Sequence, residues 1–313
     1  MSSILNEPYR NQLQTTLNYS TSTATPTATD QSTINSANSG YSPSIHGIVI
    51  ATPTNTHAPL IEEAASKNIS IFTEKPVDDT SDKISHLFSI ADAHGVDLCC
   101  GFQRRFDASY ISTQQTLAEG HIGKPIMAHV TFADHPRPSM EFMKLGGCIY
   151  SDLSPHDVDY IRWCLGDDVE SVYATGTSSV KELEDAGVHD NATMLLRFKR
   201  GTIVTISLSR ASTYGYDQRC EIFGDKGLTR IDNVYANTNV LSTSDGISRP
   251  KLQHSFPQRF EKAFAAELDA YADTLLEGKE WPISRDDCIA VQKVSDAARL
   301  SAELGRAVMI DEL

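Results

Sequence analysis

The sequence predicts an α/β fold in which an incomplete doubly wound parallel sheet precedes an α+β domain with an open, mostly antiparallel sheet. Two observations lead to this prediction. Between residues 47 and 102, short apolar strands alternate with helix patterns, whereas the strand-like runs of the second half follow one another through glycine turns. The first arrangement is typical of parallel sheets, and the second indicates antiparallel or mixed ones.

The predicted strands of the first half are short, apolar and rich in β-branched residues, which indicates buried strands. The second helix between them has Thr80 or Ser81 as its N-cap and ends at Gly95, in line with the usual capping preferences. The strands cover residues 47–52, 69–73 and 96–102, and the helices cover 57–67 and 78–94.

The second half has a different order of elements, from which we predict a nucleotide-binding domain over residues 1–103 and a substrate and oligomerisation domain over residues 104–313. The last helix is long enough to pack back on the first domain. The predicted strands are 125–133, 169–176, 193–198, 202–208, 219–223, 228–231 and a weak one near 240, and the helices are 155–165, with Ser154 as N-cap, 259–277 and 285–304.

The composition narrows the function classes. The formal net charge is −14, which argues against broad binding to nucleic acids or anionic membranes. No apolar run reaches the length of a membrane span, and the first residues lack the pattern of a secretory signal. The six cysteines are irregularly placed and the histidines are scattered, so we expect reduced thiols, no metal site and a cytoplasmic location.

The first 45 residues differ from the rest of the chain. They contain only three charged side chains, Glu7, Arg10 and Asp30, and a Ser/Thr-rich stretch that cannot fill a core. A short helix is predicted around Tyr9 to Leu17.

Three segments place polar residues where strands or turns end. The first, ATPTNTH at 51–57, brings Thr52, Thr54 and His57 to the carboxyl end of a strand, where ligands bind in parallel sheets. Ordinary turn and helix-cap chemistry explains a Thr-Pro-Thr sequence equally well. Both interpretations stay open at this point.

The second segment, TEKPV at 73–77, places Lys75 at another strand end. Partial burial lowers the pKa of an ammonium group, so a lysine that emerges into a cleft is a candidate acid–base group. The alternative is a solvated loop lysine.

The third segment, at 146–166, contains Asp152 and His156, four residues apart and close to a helix start. That spacing can bring a carboxylate and an imidazole to one face, where the carboxylate raises the proton affinity of the ring. Such a pair can accept a hydroxyl proton while hydride leaves the same carbon. The alternative is a capped helix with an exposed His–Asp pair.

The order ATPTNTH, EKP, GFQRRFD and GGxxxxDxxxHDxD resembles the Gfo/Idh/MocA oxidoreductases, whose first domain has the Rossmann fold. EFMKLGG (141–147) and YGYDQRCEIFGDKGLTRIDN (214–233) resemble the myo-inositol 2-dehydrogenase branch most. The resemblance implies an enzyme that oxidises a secondary alcohol of a polyol or sugar with NAD or NADP. It also implies catalytic roles for Lys75, Asp152 and His156, with His156 as proton acceptor.

The same resemblance implies binding residues. For the cofactor these are Thr52, Pro53, His57, Glu74 and Lys75, and for the substrate hydroxyls they are Lys144, Asp157 and Tyr216.

One part of the family pattern is absent. The first glycine is Gly40, and no two glycines are two positions apart, so the chain contains no G-x-G-x-x-G turn to receive a pyrophosphate. We therefore expect a truncated dinucleotide-binding domain and weak dinucleotide binding.

Two function classes follow. The first is an NAD(P)-dependent dehydrogenase of the inositol type, and the alternative is a non-catalytic sugar-sensing or protein-interaction member of the same fold. An open sheet in the second domain favours a homodimer or homotetramer, by analogy with the fold.

Overall fold

Two sheets organise the part of the chain that the computed structural model describes, residues 45–145 and 148–313. The helix predicted around Tyr9 to Leu17 lies outside these residues. The strands are β1 (Gly47–Ile50), β2 (Ser70–Glu74), β3 (Leu98–Gly101), β4 (Pro125–Ala133), β5 (Val169–Thr177), β6 (Asn191–Phe198), β7 (Ile203–Ser209), β8 (Asp217–Gly224), β9 (Leu228–Ile231), β10 (Leu241–Thr243), β11 (Gly246–Ser248) and β12 (Val308–Met309). The helices are α1 (His57–Ser66), α2 (Ser81–His94), α3 (Ala108–Ala118), α4 (Met140–Leu145), α5 (Ile149–Asp152), α6 (Ser154–Leu165), α7 (Lys181–Asp185), α8 (Phe256–Glu277) and α9 (Arg285–Leu304).

The first sheet is parallel, in the order β1-β2-β3. Its central register pairs Val49 with Phe72 and Phe72 with Cys99. β3 is buried along its whole length, but β1 is only partly buried, with Val49 38% exposed. The prediction of a buried first strand therefore holds only in part, because β1 pairs only with β2 among the described residues.

The second sheet has seven strands in the order β12-β5-β6-β7-β4-β8-β9, and β10 pairs with β11 in a separate ribbon. All pairs of neighbouring strands in this sheet are antiparallel except β4 and β7. These two strands run parallel and end side by side at Ala133 and Ser209. The predicted fold class, a parallel sheet followed by a mostly antiparallel one, is confirmed.

Helix ends follow the predicted signals in most places. The Thr80 hydroxyl accepts a hydrogen bond from the backbone of Lys83, and Gly95 adopts a left-handed conformation that closes α2. Ser154 was predicted as an N-cap and is not one. The short helix α5 ends two residues earlier, and Ser154 Oγ instead donates to the backbone oxygen of Tyr150 at 2.5 Å.

The C-terminal helices hold the parallel sheet against the rest of the described chain. Tyr271 of α8 donates to the backbone oxygen of Ser70 at 2.8 Å, and Trp281 donates to that of Cys100 at 3.1 Å. Helix α9 packs against β5 and also against α2. Because Ile45–Leu313 forms one compact unit, a domain boundary near Gln103 stays a prediction.

Candidate active site

Lys75 connects two of the sequence segments that were singled out. It follows the end of β2, and its ammonium donates to the backbone oxygen of Asp152 at 2.7 Å. The same nitrogen lies 3.3 Å from Asp152 Oδ1, and the lysine side chain is only 11% exposed. The contact joins residues that are 77 positions apart, so Lys75 is not a solvated loop lysine.

Asp152, the last residue of α5, is held by two cations. The Lys75 ammonium contacts Oδ1, and the Arg210 guanidinium lies 2.8 Å from Oδ2. Burial favours the protonated acid, but the charges of Lys75 and Arg210 outweigh it and lower the pKa of Asp152. The group therefore carries a negative charge at neutral pH.

His156 lies in the first turn of α6, with its ring partly exposed. Its Nδ1 is buried and has no hydrogen-bond partner among the described residues. Burial, followed by the charges of Lys75 and Arg104, lowers the pKa of His156 well below its ordinary value. The expectation that Asp152 raises the proton affinity of this ring was wrong, because burial and the two neighbouring cations act in the opposite direction.

An aromatic cluster lies beside His156. The Phe132 ring is 6.3 Å from that of His156 and 5.7 Å from that of Tyr216, measured between centroids. Tyr216 is 4% exposed, and its ring also meets Phe260. The Phe132 ring therefore lies close to both Tyr216 and His156, and little of the Tyr216 side chain is accessible.

Asp157, which the resemblance implies as a substrate residue, is fully buried. It forms an ion pair with Arg104, whose guanidinium lies 5.2 Å from the centre of the Phe132 ring. Because no part of Asp157 is accessible, this structure shows it in a supporting position behind the aromatic cluster.

Lys144 is not in contact with the Lys75–Asp152 pair. Its ammonium lies 2.7 Å from Glu182 Oε1, and it borders a separate cavity of about 440 Å³ together with Tyr150 and His189.

The residues expected to bind the cofactor divide into two groups. Thr52 and Pro53 are exposed after β1, whereas His57 is 1% exposed. The His57 ring lies between two backbone oxygens, those of Thr52 and Pro76, each at 2.9 Å from a ring nitrogen. Glu74 is partly buried, and its burial raises its pKa against the opposing charge of Lys75. In this structure His57 therefore joins two strand-end loops.

Sequence reasoning missed Arg210 and Asp134, which follow β7 and β4. Burial raises the pKa of Asp134, partly offset by a hydrogen bond from the His135 backbone and by the charge of Arg210. The rule used for Lys75, a polar residue directly after a strand, applies to both residues. Neither residue was predicted as a site residue, because the parallel pairing of β4 with β7 was not predicted.

Residues 45–145 and 148–313 contain no cluster of three or more His, Cys, Asp or Glu side chains that could hold a metal ion. In the same part of the chain, no helix is long and apolar enough to cross a membrane.

The fold and this cluster together define a class: an oxidoreductase with a Rossmann-type sheet and a polar site at its carboxyl edge. Two family models match the chain, one for the oxidoreductase family with an NAD-binding Rossmann fold over residues 11–102 and one for the GFO/IDH/MocA C-terminal domain over residues 110–230.

Individual relatives agree with this class. The inositol 2-dehydrogenase of Rhizobium meliloti is 34% identical over 267 residues, which is 85% of this chain and 81% of the relative. The crystal structure of a probable dehydrogenase from Thermotoga maritima superposes with a TM-score of 0.83 at 31% identity, covering 87% of this chain and 82% of that chain. A scyllo-inositol dehydrogenase from Lactobacillus casei, with bound NAD(H) and scyllo-inositol, has a TM-score of 0.80 at 28% identity and covers 85% and 81%. The chain belongs to the GFO/IDH/MocA oxidoreductase family.

Proposed function

We propose that this chain oxidises a secondary alcohol of a cyclic polyol, such as myo-inositol, with NAD or NADP. The observation that carries the proposal is the contact of Lys75 with Asp152, together with the closeness of Lys75 to His156, whose pKa its charge helps to lower. Relatives named as inositol dehydrogenases, one of them with scyllo-inositol bound, support the choice of substrate class.

The described residues fit the nicotinamide end of a dinucleotide. Thr52 and Pro53 are accessible at the carboxyl end of β1, and Lys75 follows the neighbouring strand. The carboxyl edge of a parallel sheet is where such cofactors bind. When bound, the nicotinamide supplies the hydride acceptor.

The protein residues divide the remaining work. His156 is the proton acceptor, because its lowered pKa keeps the ring neutral and ready to take the hydroxyl proton. Lys75 donates to the substrate oxygen and favours its negative charge. Asp152 orients Lys75, whose ammonium it contacts through its backbone oxygen and Oδ1.

We also propose that a polypeptide of these 313 residues binds dinucleotide weakly. The sequence has no G-x-G-x-x-G turn, whose backbone amides and following helix receive the pyrophosphate. Titration with NADH and NADPH, followed by nicotinamide fluorescence, measures this affinity. Micromolar binding of either cofactor would contradict the proposal.

A steady-state assay with myo-inositol, scyllo-inositol and other polyols, with NAD and with NADP at millimolar concentration, tests the activity. We expect reduced cofactor to form with at least one cyclic polyol. The missing glycine turn favours a second candidate, a non-catalytic sugar-binding protein on the same fold. Polyol binding by calorimetry without any turnover would select that candidate.

We propose that the chain forms a homodimer or homotetramer through the open face of the second sheet. Along β6 buried and exposed residues alternate, and Leu195 is 42% exposed. Light scattering of a Leu195→Glu variant would show a smaller species than the unsubstituted chain. Other large apolar residues of this sheet are also exposed. These residues are Ile126, Met127, Tyr173, Ile203, Phe223 and Leu228.

A substitution of Lys144 tests the remaining substrate residue that the resemblance implies. Lys144→Met removes the ion pair with Glu182. A KM for the polyol that rises about tenfold would support substrate binding by Lys144, in keeping with the cost of a lost charged hydrogen bond.

A further inference from the structure

Arg210 reaches the site through the single parallel pairing of the second sheet. β4 and β7 end side by side, and the backbone nitrogen of Asp134 donates to the backbone oxygen of Ser209 at 2.8 Å. The next residue along β7 is Arg210, so Asp134 and Arg210 follow neighbouring parallel strands at one edge. This edge faces Asp152, as the contact of Arg210 with that carboxylate shows.

The guanidinium of Arg210 uses only part of its hydrogen-bonding capacity. Its NH1 lies 2.8 Å from Asp152 Oδ2, and the side chain is 3% exposed. Its NH2 is buried and has no acceptor among the described residues. A buried donor without a partner is costly, and a guanidinium beside a carboxylate commonly binds both of its oxygens. An unused donor is thus left next to Asp152.

The second oxygen of Asp152 is taken by Lys75 in this structure. Under the proposed function, Lys75 has to donate to the substrate oxygen during the reaction. Asp152 would then lose one of its two cations during the reaction. A partly buried carboxylate that has lost one of its cations is less favourable in its ionised form.

We propose that Arg210 is a positioning residue of this oxidoreductase: NH1 holds Asp152 Oδ2 throughout, and NH2 takes Oδ1 when Lys75 turns to the substrate. Arginine suits this role because its charge is permanent and its donors form a rigid fork. Arg210 and Asp152 exchange no proton, and the proton of the substrate hydroxyl goes to His156. The inference rests on the proposed function.

The groups that act on Asp152 from the surrounding elements are few. Lys75 comes from the end of β2, Arg210 from the end of β7 and Asp134 from the end of β4. The charge of Lys75 also acts on His156, on α6. Of these, Asp134 repels the ionised form of Asp152. Removal of the Arg210 charge therefore leaves Asp152 with one mobile cation and one acidic neighbour.

The test compares Arg210→Gln and Arg210→Lys with the unsubstituted chain in polyol oxidation at saturating cofactor, from pH 5 to 9. For Arg210→Gln we expect kcat to fall about 100-fold, the cost of removing one partner of an enclosed charge pair, with KM within about threefold. The acidic limb of its kcat profile should move to higher pH. Arg210→Lys should restore that limb and lose only about tenfold in kcat, because an ammonium cannot bridge both oxygens.

Arg259 offers a matched control. Its side chain is 6% exposed, it contacts Asp107 Oδ2 at 2.6 Å, and its NH2 is also buried without a partner among the described residues. Arg259→Gln should lower stability in a similar way but leave kcat and its pH profile unchanged.

Several outcomes would overturn the inference. These are a kcat within threefold for Arg210→Gln, a loss confined to KM, or a Lys variant no better than the Gln variant. If Arg210→Gln does not fold, Arg210→Lys tests the inference alone. An unchanged kcat in Arg210→Lys would show that two donors at this position are not needed. Absence of any polyol turnover by the unsubstituted chain would overturn the proposed function and the inference together.

Discussion

The three-stranded parallel sheet and the seven-stranded mixed sheet supply the Lys75–Asp152 site in different ways. All strands of the first sheet end at one edge, so Thr52 and Lys75 follow neighbouring strands. In the second sheet only β4 and β7 run parallel, and two of the charged residues that act on Asp152, Asp134 and Arg210, follow these two strands. Parallel pairing, more than membership of one sheet, determines where polar residues collect in this chain.

The two regions also use burial differently. In the second sheet, Val204, Ile206 and Leu196 are almost fully buried on one face. In the first sheet β1 is partly exposed, with Val49 38% accessible. We therefore expect truncations in the core of the second sheet to cost more stability than truncations in β1, whereas both sheets supply charged groups to the site. Four predictions sharpen this comparison.

The largest effect is expected at the end of β2. Lys75→Met removes the ammonium that contacts Asp152 and, under the proposed function, the substrate oxygen. We expect kcat to fall about 1,000-fold, a typical loss for a residue that transfers or stabilises charge in the reaction. Steady-state oxidation of the best polyol measures it.

Lys83 serves as the control for this substitution. It lies on the surface of the same region, 57% exposed, with Asp78 and Asp79 as partners. Lys83→Met should leave kcat within about twofold, since exposed ion pairs contribute little. Equal losses in the two variants would contradict a specific role for Lys75.

The buried ion pair of Arg104 and Asp157 is expected to matter for stability. Asp157→Leu leaves the Arg104 charge enclosed and unpaired, so the free energy of unfolding should fall by about 3–5 kcal/mol. Adding Arg104→Met should recover most of that loss, because no uncompensated charge remains. Urea unfolding measures both variants, and Asp185→Leu in the exposed pair with Lys181 is the control.

The core of the second sheet should tolerate truncation worse than the edge of the first. Ile206→Ala, at a fully buried position of β7, is expected to cost about 2–5 kcal/mol of unfolding free energy. Val49→Ala in β1 should cost less than about 1 kcal/mol, because its side chain already contacts solvent. Equal costs in urea unfolding would remove the distinction between the two sheets.

Sequence reasoning found what depends on local patterns. The strands and helices between 47 and 102 and the position of Lys75 follow from periodicity and from the strand-end rule. Arg210 was not predicted because its contact depends on the pairing of β4 with β7, whose partner residues are 76 positions apart, and a local pattern does not show this pairing. A cytoplasmic location and the roles of individual site residues stay predictions.

The pair of Asp152 and His156 shows why spacing alone misled. Four positions bring side chains together on one continuous helix. Here Asp152 ends α5 and His156 lies on α6, with the single residue Leu153 between the two helices. The carboxylate instead meets cations from two strand ends that no spacing rule connects to it.

The smallest effect concerns the pH dependence of stability at His156. Its pKa in the folded chain is lowered, mainly by burial, so below the unfolded value of about 6.5 the unfolded chain binds a proton that the folded one does not. The contribution of this group to the free energy of unfolding is fully present above that pH. It is lost as the pH falls, by at most about 1.4 kcal/mol per pH unit. His156→Gln should flatten this part of the curve.

Urea unfolding between pH 7 and 5 measures the difference, with His121→Gln as the control because that ring is 66% exposed. If His156→Gln and the unsubstituted chain lose stability in parallel over this range, the ring is not held neutral by the fold. His156 would then be protonated at moderately acidic pH and a poorer proton acceptor there.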